Sequence, residues 1–222
     1  MSKYYEAYDL RYRQVHAEGL EWFGGGPTPI VAEVMDRLGL PVSAPVLEIG
    51  CGEGGDAAFL LQRGRNVLAT DVSEAAVAFC REKYPRWADR FRTLDALKET
   101  LDERFSFIYA VAVLHMLVLD EDRQALLSFI REHLTEDGFG LLVVMGNGEV
   151  SRATDVNTAF DVQQRMHERS GRMVEIASTS CRLVTWEELS GELAEAGLAV
   201  AEKGNTSWDD APFAMYALVK RK

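Results

Sequence analysis

Short apolar runs alternate with amphipathic stretches along most of this chain. Val46-Leu47-Glu48-Ile49 predicts a first strand, and Asp56 to Arg63 predicts the helix after it. Asn66 to Thr70 predicts a second strand. Ser73 then stands at an N-cap position before a helix carrying Ala75, Ala76, Val77, Phe79 and Cys80, which stops near Pro85. Phe91 to Leu94 is a short third strand. Phe105 to Ala112, apolar on both faces, predicts a fourth that is central in its sheet. Glu121 to Leu134 forms a helix with Leu126, Leu127, Phe129, Ile130 and Leu134 inward, and Gly138 ends the turn before a fifth strand, Leu141 to Met145. Thr185 and Glu188 match a capping box before a helix over Leu189 to Ala196, closed by Gly197. Leu198 to Glu202 and Phe213 to Val219 follow as two strands with no helix between them. The pattern predicts an α/β fold with seven strands.

Two segments stand outside this alternation. Residues 1–42 are helical in pattern and rich in aromatics, ending in Trp22-Phe23-Gly24-Gly25-Gly26-Pro27. They read as a helical lid hinged at the glycines. Residues 146–184 form a long connector, with a helix expected over Asp155 to Arg169 and a β-prone run over Met173 to Val184; a connector of that length in a compact domain usually has a task of its own. We read it as a substrate-side insertion. No Pro- or Ser-rich linker divides the chain, so residues 1–222 read as a single domain.

Charge and cysteine usage narrow the partners. The formal net charge is −11, the wrong sign for a surface that binds nucleic acid phosphates, which favours a small-molecule substrate over DNA or RNA. Cys51, Cys80 and Cys181 form no CxxC pair, so neither a metal site nor a disulfide framework is expected, and a reducing, cytoplasmic setting fits. The start, Met1-Ser2-Lys3-Tyr4-Tyr5-Glu6, lacks the apolar core of a signal peptide, and the longest apolar stretch, broken at His115, is too short for a bilayer; no membrane partner is expected. Oligomeric state is not encoded in any pattern visible here.

The sharpest chemical signal is Glu48-Ile49-Gly50-Cys51-Gly52-Glu53-Gly54-Gly55. Glycines at 50, 52 and 54 directly after a buried strand allow a tight turn and close approach of backbone to a ligand, with a helix N-terminus beyond. Gly50, Gly52 and Gly55 also satisfy the dinucleotide pattern GxGxxG, which leaves a nicotinamide-dinucleotide binder as a lesser alternative. Glu48 argues against it. A carboxylate inside an apolar strand suits the ammonium of an amino acid cofactor and suits a pyrophosphate poorly. Asp71, nineteen residues after Gly52, sits at the tip of the second strand, where it can accept both hydroxyls of a ribose, with Val72 beside it. Asp95-Ala96, after the third strand, offers a side chain and a backbone N–H for an adenine edge.

In order and spacing, Glu-Ile-Gly-Cys-Gly-Glu-Gly, Asp71, Asp95-Ala96 and the strand running into Val113-Leu114-His115-Met116 resemble the motifs of class I S-adenosylmethionine-dependent methyltransferases. The resemblance covers 46–145 closely and 185–219 by topology. It implies a Rossmann-like, seven-stranded, mostly parallel sheet with helices on both faces and an antiparallel last strand. It also implies S-adenosylmethionine across the ends of the first and fourth strands, with Gly50, Gly52 and Gly54 under its methionine part, Asp71 on the ribose and Asp95 on the adenine. Two departures stand out. Ser106 occupies a position often acidic in the family, and Ala110-Val111-Ala112 replaces any Asn-Pro-Pro-Tyr, which disfavours DNA bases and protein amides as acceptors.

Beyond the cofactor the signals are thinner. His115 can orient or deprotonate a substrate, or be held by backbone as a helix-start histidine. Tyr4, Tyr5, Tyr8, Tyr12 and Trp22 resemble the N-terminal cover of small-molecule methyltransferases, where aromatic faces attract a sulfonium; they can equally pack a helix. Tyr12 joins His115 as a candidate catalytic residue, and Tyr5, Arg11 and Trp22 join the candidate cofactor site, Arg11 as a clamp for a carboxylate of cofactor or substrate. Within the insertion, Asn147 and Arg182 are the substrate-side candidates, alongside Arg152, Arg165, Arg169 and Arg172. The expected reaction is methyl transfer to an N, O or S nucleophile of a small molecule. A lyase that cyclises the same cofactor to azetidine-2-carboxylate and methylthioadenosine is the alternative.

Overall fold

The computed structural model describes residues 3–22, 27–208 and 211–222. Its core is a seven-stranded sheet built from β1 (Pro45–Ile49), β2 (Asn66–Asp71), β3 (Phe91–Thr93), β4 (Phe105–Val111), β5 (Leu134–Met145), β10 (Leu198–Trp208) and β11 (Ala211–Arg221). Across the sheet the order is β10-β11-β5-β4-β1-β2-β3. The five strands from β5 to β3 run parallel, and β11 is antiparallel to both its neighbours. The expected topology is therefore present, with β4 central. One boundary differs: β5 begins at Leu134 and carries Gly138 within it, through a register irregularity opposite Phe105–Phe107.

Strand faces alternate between two apolar layers, as parallel strands covered on both sides require. Leu47, Ile108 and Ala110 pack with Leu126, Leu127 and Ile130 of α5 (Asp120–His133) and with Leu189 and Leu193 of α6 (Trp186–Glu195). Val46, Phe107 and Tyr109 face the other layer. That layer is made by Ile30 and Val34 of α2 (Pro29–Arg37), Leu60 of α3 (Gly55–Gln62) and Val77 of α4 (Glu74–Lys83). Local signals fix the helix ends: the Ser73 hydroxyl caps the Ala76 amide, and Thr185 and Glu188 form the reciprocal capping box.

The helix expected over Asp155 to Arg169 is absent. A 3₁₀ turn at Val156–Thr158 leads instead into an antiparallel hairpin of β7 (Val162–His167) and β8 (Arg172–Ala177). Gln, Arg, Met and Glu give this stretch good helix propensity, but tertiary packing overrides it. Val174 and Ile176 on one hairpin face bury against Val15 of α1 (Ala7–Ala17), with Leu20 and Trp22 packed alongside. Ser170-Gly171, with Gly171 at φ +68°, makes the turn. Two further short strands, β6 (Arg152–Ala153) and β9 (Arg182–Leu183), pair with each other. Among the described residues no helix is long and apolar enough to cross a membrane. The Gly24–Gly26 hinge expectation lies outside the described residues.

Candidate functional site

β1 pairs with β2 on one side and β4 on the other, so the chain reverses its winding direction at β1, where open α/β sheets carry ligand crevices. A cavity of about 490 Å³ opens there, above the carboxyl ends of β1, β2 and β4 and beneath α1 and the β7–β8 hairpin. The glycine turn forms its floor. Gly50 and Gly52 take φ of +74° and +51°. Gly50 is also a close approach: a Cβ there would lie 2.3 Å from Val113 Cγ2. Gly54 differs from the expectation. It caps α3 in the left-handed region, does not line the cavity, and backs onto Cys80, Phe91 and Tyr84.

The acidic residues gather on this floor. Glu48 is buried and lines the cavity, and its Oε2 has no hydrogen-bond partner. Burial, reinforced by Asp56, pushes its pKa well above the usual carboxylate range. Asp56 accepts from the Thr28 amide and hydroxyl, yet burial still raises its pKa to about 6. Asp71 accepts from the Gly52 amide and the Ser73 amide, both at 2.8 Å, and burial raises its pKa too. One bond to each oxygen leaves further lone pairs for a ligand. Asp95 takes the Tyr5 hydroxyl at 3.1 Å and Lys98 Nζ at 2.8 Å through one oxygen, and the Leu97 amide through the other. Val72 and Ala96 line the same wall.

The N-terminal residues form the roof and are tied down at several points. Tyr4 Oη accepts from the Val118 amide at 2.9 Å, and the Tyr8 hydroxyl donates to the Ser180 carbonyl at 2.7 Å. Asp9 accepts from the Ser73 hydroxyl at 2.7 Å and the Ala75 amide at 3.0 Å, binding α1 to the start of α4. Tyr12 lies over the turn, with its hydroxyl 2.7 Å from where a Gly52 Cβ would be. Burial, with Asp71 and Glu53 nearby, raises its pKa well above the usual phenol value, so it is a protonated donor. Arg11 donates to the carbonyls of Ala177 and Ser178, while the Trp22 ring carries Arg11 at 4.7 Å and Arg165 at 5.1 Å from its centroid.

His115 sits in the 3₁₀ turn Leu114–Met116 after β4, lines the cavity, and has a buried Nδ1 with no partner. Burial, then Arg123, lowers its pKa to about 4, leaving a neutral imidazole at neutral pH. Two substrate-side candidates are not brought here. Asn147 is exposed and exchanges hydrogen bonds with Glu149. Arg182 binds the Val118 carbonyl, Asp120 and Glu192, fastening β9 to α5 and α6. The cavity is instead completed by Arg165, one of the arginines expected on the substrate side, by Met116, and by the Ser178–Cys181 loop, whose Ser178, Thr179 and Ser180 sequence reasoning did not single out. Thr179 in that loop and Ala112 at the end of β4 take φ of +60° and +57°, unusual for side chains and frequent where sites are built.

Comparison with known proteins agrees with this architecture. Residues 47–139 match the Methyltransferase domain family. Two curated relatives are the ribosomal RNA small subunit methyltransferase A of Porphyromonas gingivalis, 36% identical over 76 residues, and the trans-aconitate 2-methyltransferase of Variovorax paradoxus, 38% identical over 85 residues. The alignments take in 34% and 37% of this chain, and 30% and 32% of those relatives' own lengths. The chain thus spans about a third of each. Among solved structures, the 1,6-didemethyltoxoflavin-N1-methyltransferase of Burkholderia thailandensis, bound to 1,6-didemethyltoxoflavin and S-adenosylhomocysteine, superposes with a TM-score of 0.71. It is 21% identical, over 100% of this chain and 91% of that one. The chain thus carries a match to the Methyltransferase domain over residues 47–139 and has the Rossmann-like fold of class I S-adenosylmethionine-dependent methyltransferases.

Proposed function

We propose that this protein is an enzyme that uses S-adenosylmethionine to methylate a nitrogen, oxygen or sulfur nucleophile of a small molecule. The observation that carries this reading is Glu48: a buried carboxylate on the cavity floor with one oxygen unpartnered. Such a group is costly to bury unless a cation completes it, and the cofactor's ammonium is a cation of the right kind. Asp71 would take the ribose hydroxyls and Asp95 the adenine edge, Gly50 and Gly52 admit the methionine part closely, and Val72 and Ala96 pack against the adenosine. When bound, the cofactor supplies an electrophilic methyl group on sulfur. The chain's own residues then have to align the nucleophile and exclude water, which suits a roof held by Tyr4, Tyr8 and Asp9. Tyr12 can donate a hydrogen bond beside the glycine turn, and neutral His115 can accept one from a substrate.

A small acceptor is favoured over nucleic acid by a cavity roofed by α1 and the β7–β8 hairpin and by the net charge of −11. The relative acting on ribosomal RNA aligns with 34% of this chain, whereas the toxoflavin-type enzyme superposes over all of it. The test is a thermal shift with S-adenosylhomocysteine, NAD and NADP. Stabilisation by S-adenosylhomocysteine alone is expected; stabilisation by NAD alone would overturn the assignment.

A further inference from the structure

The acidic floor has a basic counterpart across the cavity. Arg11 is 7% exposed and donates only to the uncharged carbonyls of Ala177 and Ser178. Arg165, on β7, stands over the same Trp22 ring and makes no ion pair among the described residues. Neither guanidinium has a carboxylate partner among the described residues, in a protein with eleven more acidic than basic side chains. Burial, and with it the neighbouring Arg165, holds the Arg11 pKa below its usual value. A buried guanidinium that shares one indole ring with a second guanidinium is an incomplete arrangement, because carbonyl dipoles and aromatic faces offset only part of the desolvation. The planar donor forks of two arginines are suited to an anionic, bidentate acceptor.

We propose that the acceptor substrate carries a carboxylate, and that this group docks between Arg11 and Arg165 against Trp22. This rests on the methyltransferase reading of the cavity. The site is polarised accordingly, with acids where a cationic cofactor lies and arginines toward the hairpin. Thr179 and Ser180, in the loop following β8, also line the cavity; their hydroxyls donate to the Ser178 and Met116 carbonyls, so toward a substrate they can act only as acceptors. The hairpin then acts as the specificity element, since it supplies Arg165 and the carbonyls that hold Arg11.

The test titrates succinate, citrate and benzoate, with succinamide and benzamide as uncharged controls, into the full chain with and without saturating S-adenosylhomocysteine. Calorimetry and melting temperature are read at constant ionic strength. At least one carboxylate should bind the wild type, the amides should not, and Arg165→Gln should weaken that binding tenfold or more. Arg165 is exposed, so this variant should fold; Arg11→Gln, which loses the hairpin ties, is the second variant. Carboxylates that fail to bind, or that bind Arg165→Gln equally well, would overturn the proposal. So would an Arg165→Gln variant that loses S-adenosylhomocysteine affinity but keeps methylthioadenosine affinity, because the arginines would then hold the cofactor's own carboxylate. Wild type that binds carboxylates but not S-adenosylhomocysteine would sink the methyltransferase reading while leaving the anion site standing.

Discussion

The Asp71 carboxylate accepts the Gly52 amide at 2.8 Å, so the side chain offered to a ribose also holds the glycine turn in place. Its other oxygen accepts the Ser73 amide at the start of α4. Ligand site and scaffold are therefore coupled through one residue. Asp71→Asn presents an NH₂ to one of two N–H groups and loses a charge-assisted bond worth about 1.5–3 kcal/mol. S-adenosylhomocysteine affinity should fall by roughly tenfold or more, with a lower melting temperature. Calorimetry beside thermal unfolding checks both; an unchanged affinity in a folded variant would remove Asp71 from the site.

Glu48 makes the opposite trade. Its folded pKa is raised, so the ionised form costs stability at neutral pH, and that cost shrinks as pH falls toward the unfolded carboxylate value. Glu48→Gln should raise the melting temperature of the ligand-free protein while weakening S-adenosylhomocysteine. Methylthioadenosine, which lacks the ammonium, should bind the variant and wild type alike. Equal losses for both ligands would contradict the ammonium role.

His115 gives a pH signature of its own. Its folded pKa of about 4 lies below the unfolded value near 6.5, so the unfolded chain binds the proton first. The stability this histidine contributes is complete above pH 6.5 and is lost as pH falls from 6.5 toward 4, by about 3 kcal/mol in total. Asp56, with its pKa raised to about 6, acts in the other direction over an overlapping range. The difference between wild type and His115→Gln isolates the histidine. From pH 7.5 to pH 5 the variant's melting temperature should fall less than that of wild type, and parallel curves would contradict the assignment.

Two glycines separate turn strain from ligand contact. Gly54→Ala forces a side chain into the left-handed region and against Cys80, Phe91 and Tyr84, at a backbone cost of about 1–2 kcal/mol, without entering the cavity. It should lower the melting temperature more than it lowers S-adenosylhomocysteine affinity. Gly50→Ala, which collides with Val113 on the cavity floor, should lower both. A Gly54→Ala variant that loses binding as severely as Gly50→Ala would return Gly54 to the ligand site.

Much of this was legible in the chain. β1, β2 and β4 announce themselves because buried parallel strands are continuous apolar runs, and Ser73 and Thr185 mark helix starts through bonds made within three residues. Glu48, Asp71 and Asp95 are legible because each stands at a strand end at fixed distance from the glycine turn. The hairpin was hidden, since Gln163, Gln164 and Arg165 favour a helix locally and form a strand only against β8 and α1. Arg182 does not line the cavity for a related reason: its partners Asp120 and Val118, 62 and 64 residues away, decide where β9 sits, while Asn147 turns to Glu149 two residues on. Gly54 looks like its neighbours in sequence, and only the packing of Cys80, Tyr84 and Phe91 behind it sets it apart.

Methyl transfer from S-adenosylmethionine to a small molecule is tested most directly by isotope tracing. The protein is incubated with S-adenosylmethionine labelled in its methyl carbon and with a small-molecule metabolite extract, and the products are resolved by mass spectrometry. S-adenosylhomocysteine should appear together with an acidic small molecule that has gained the labelled methyl group. Labelled methylthioadenosine with no methylated product, or cofactor recovered intact across acceptor-rich extracts, would contradict it.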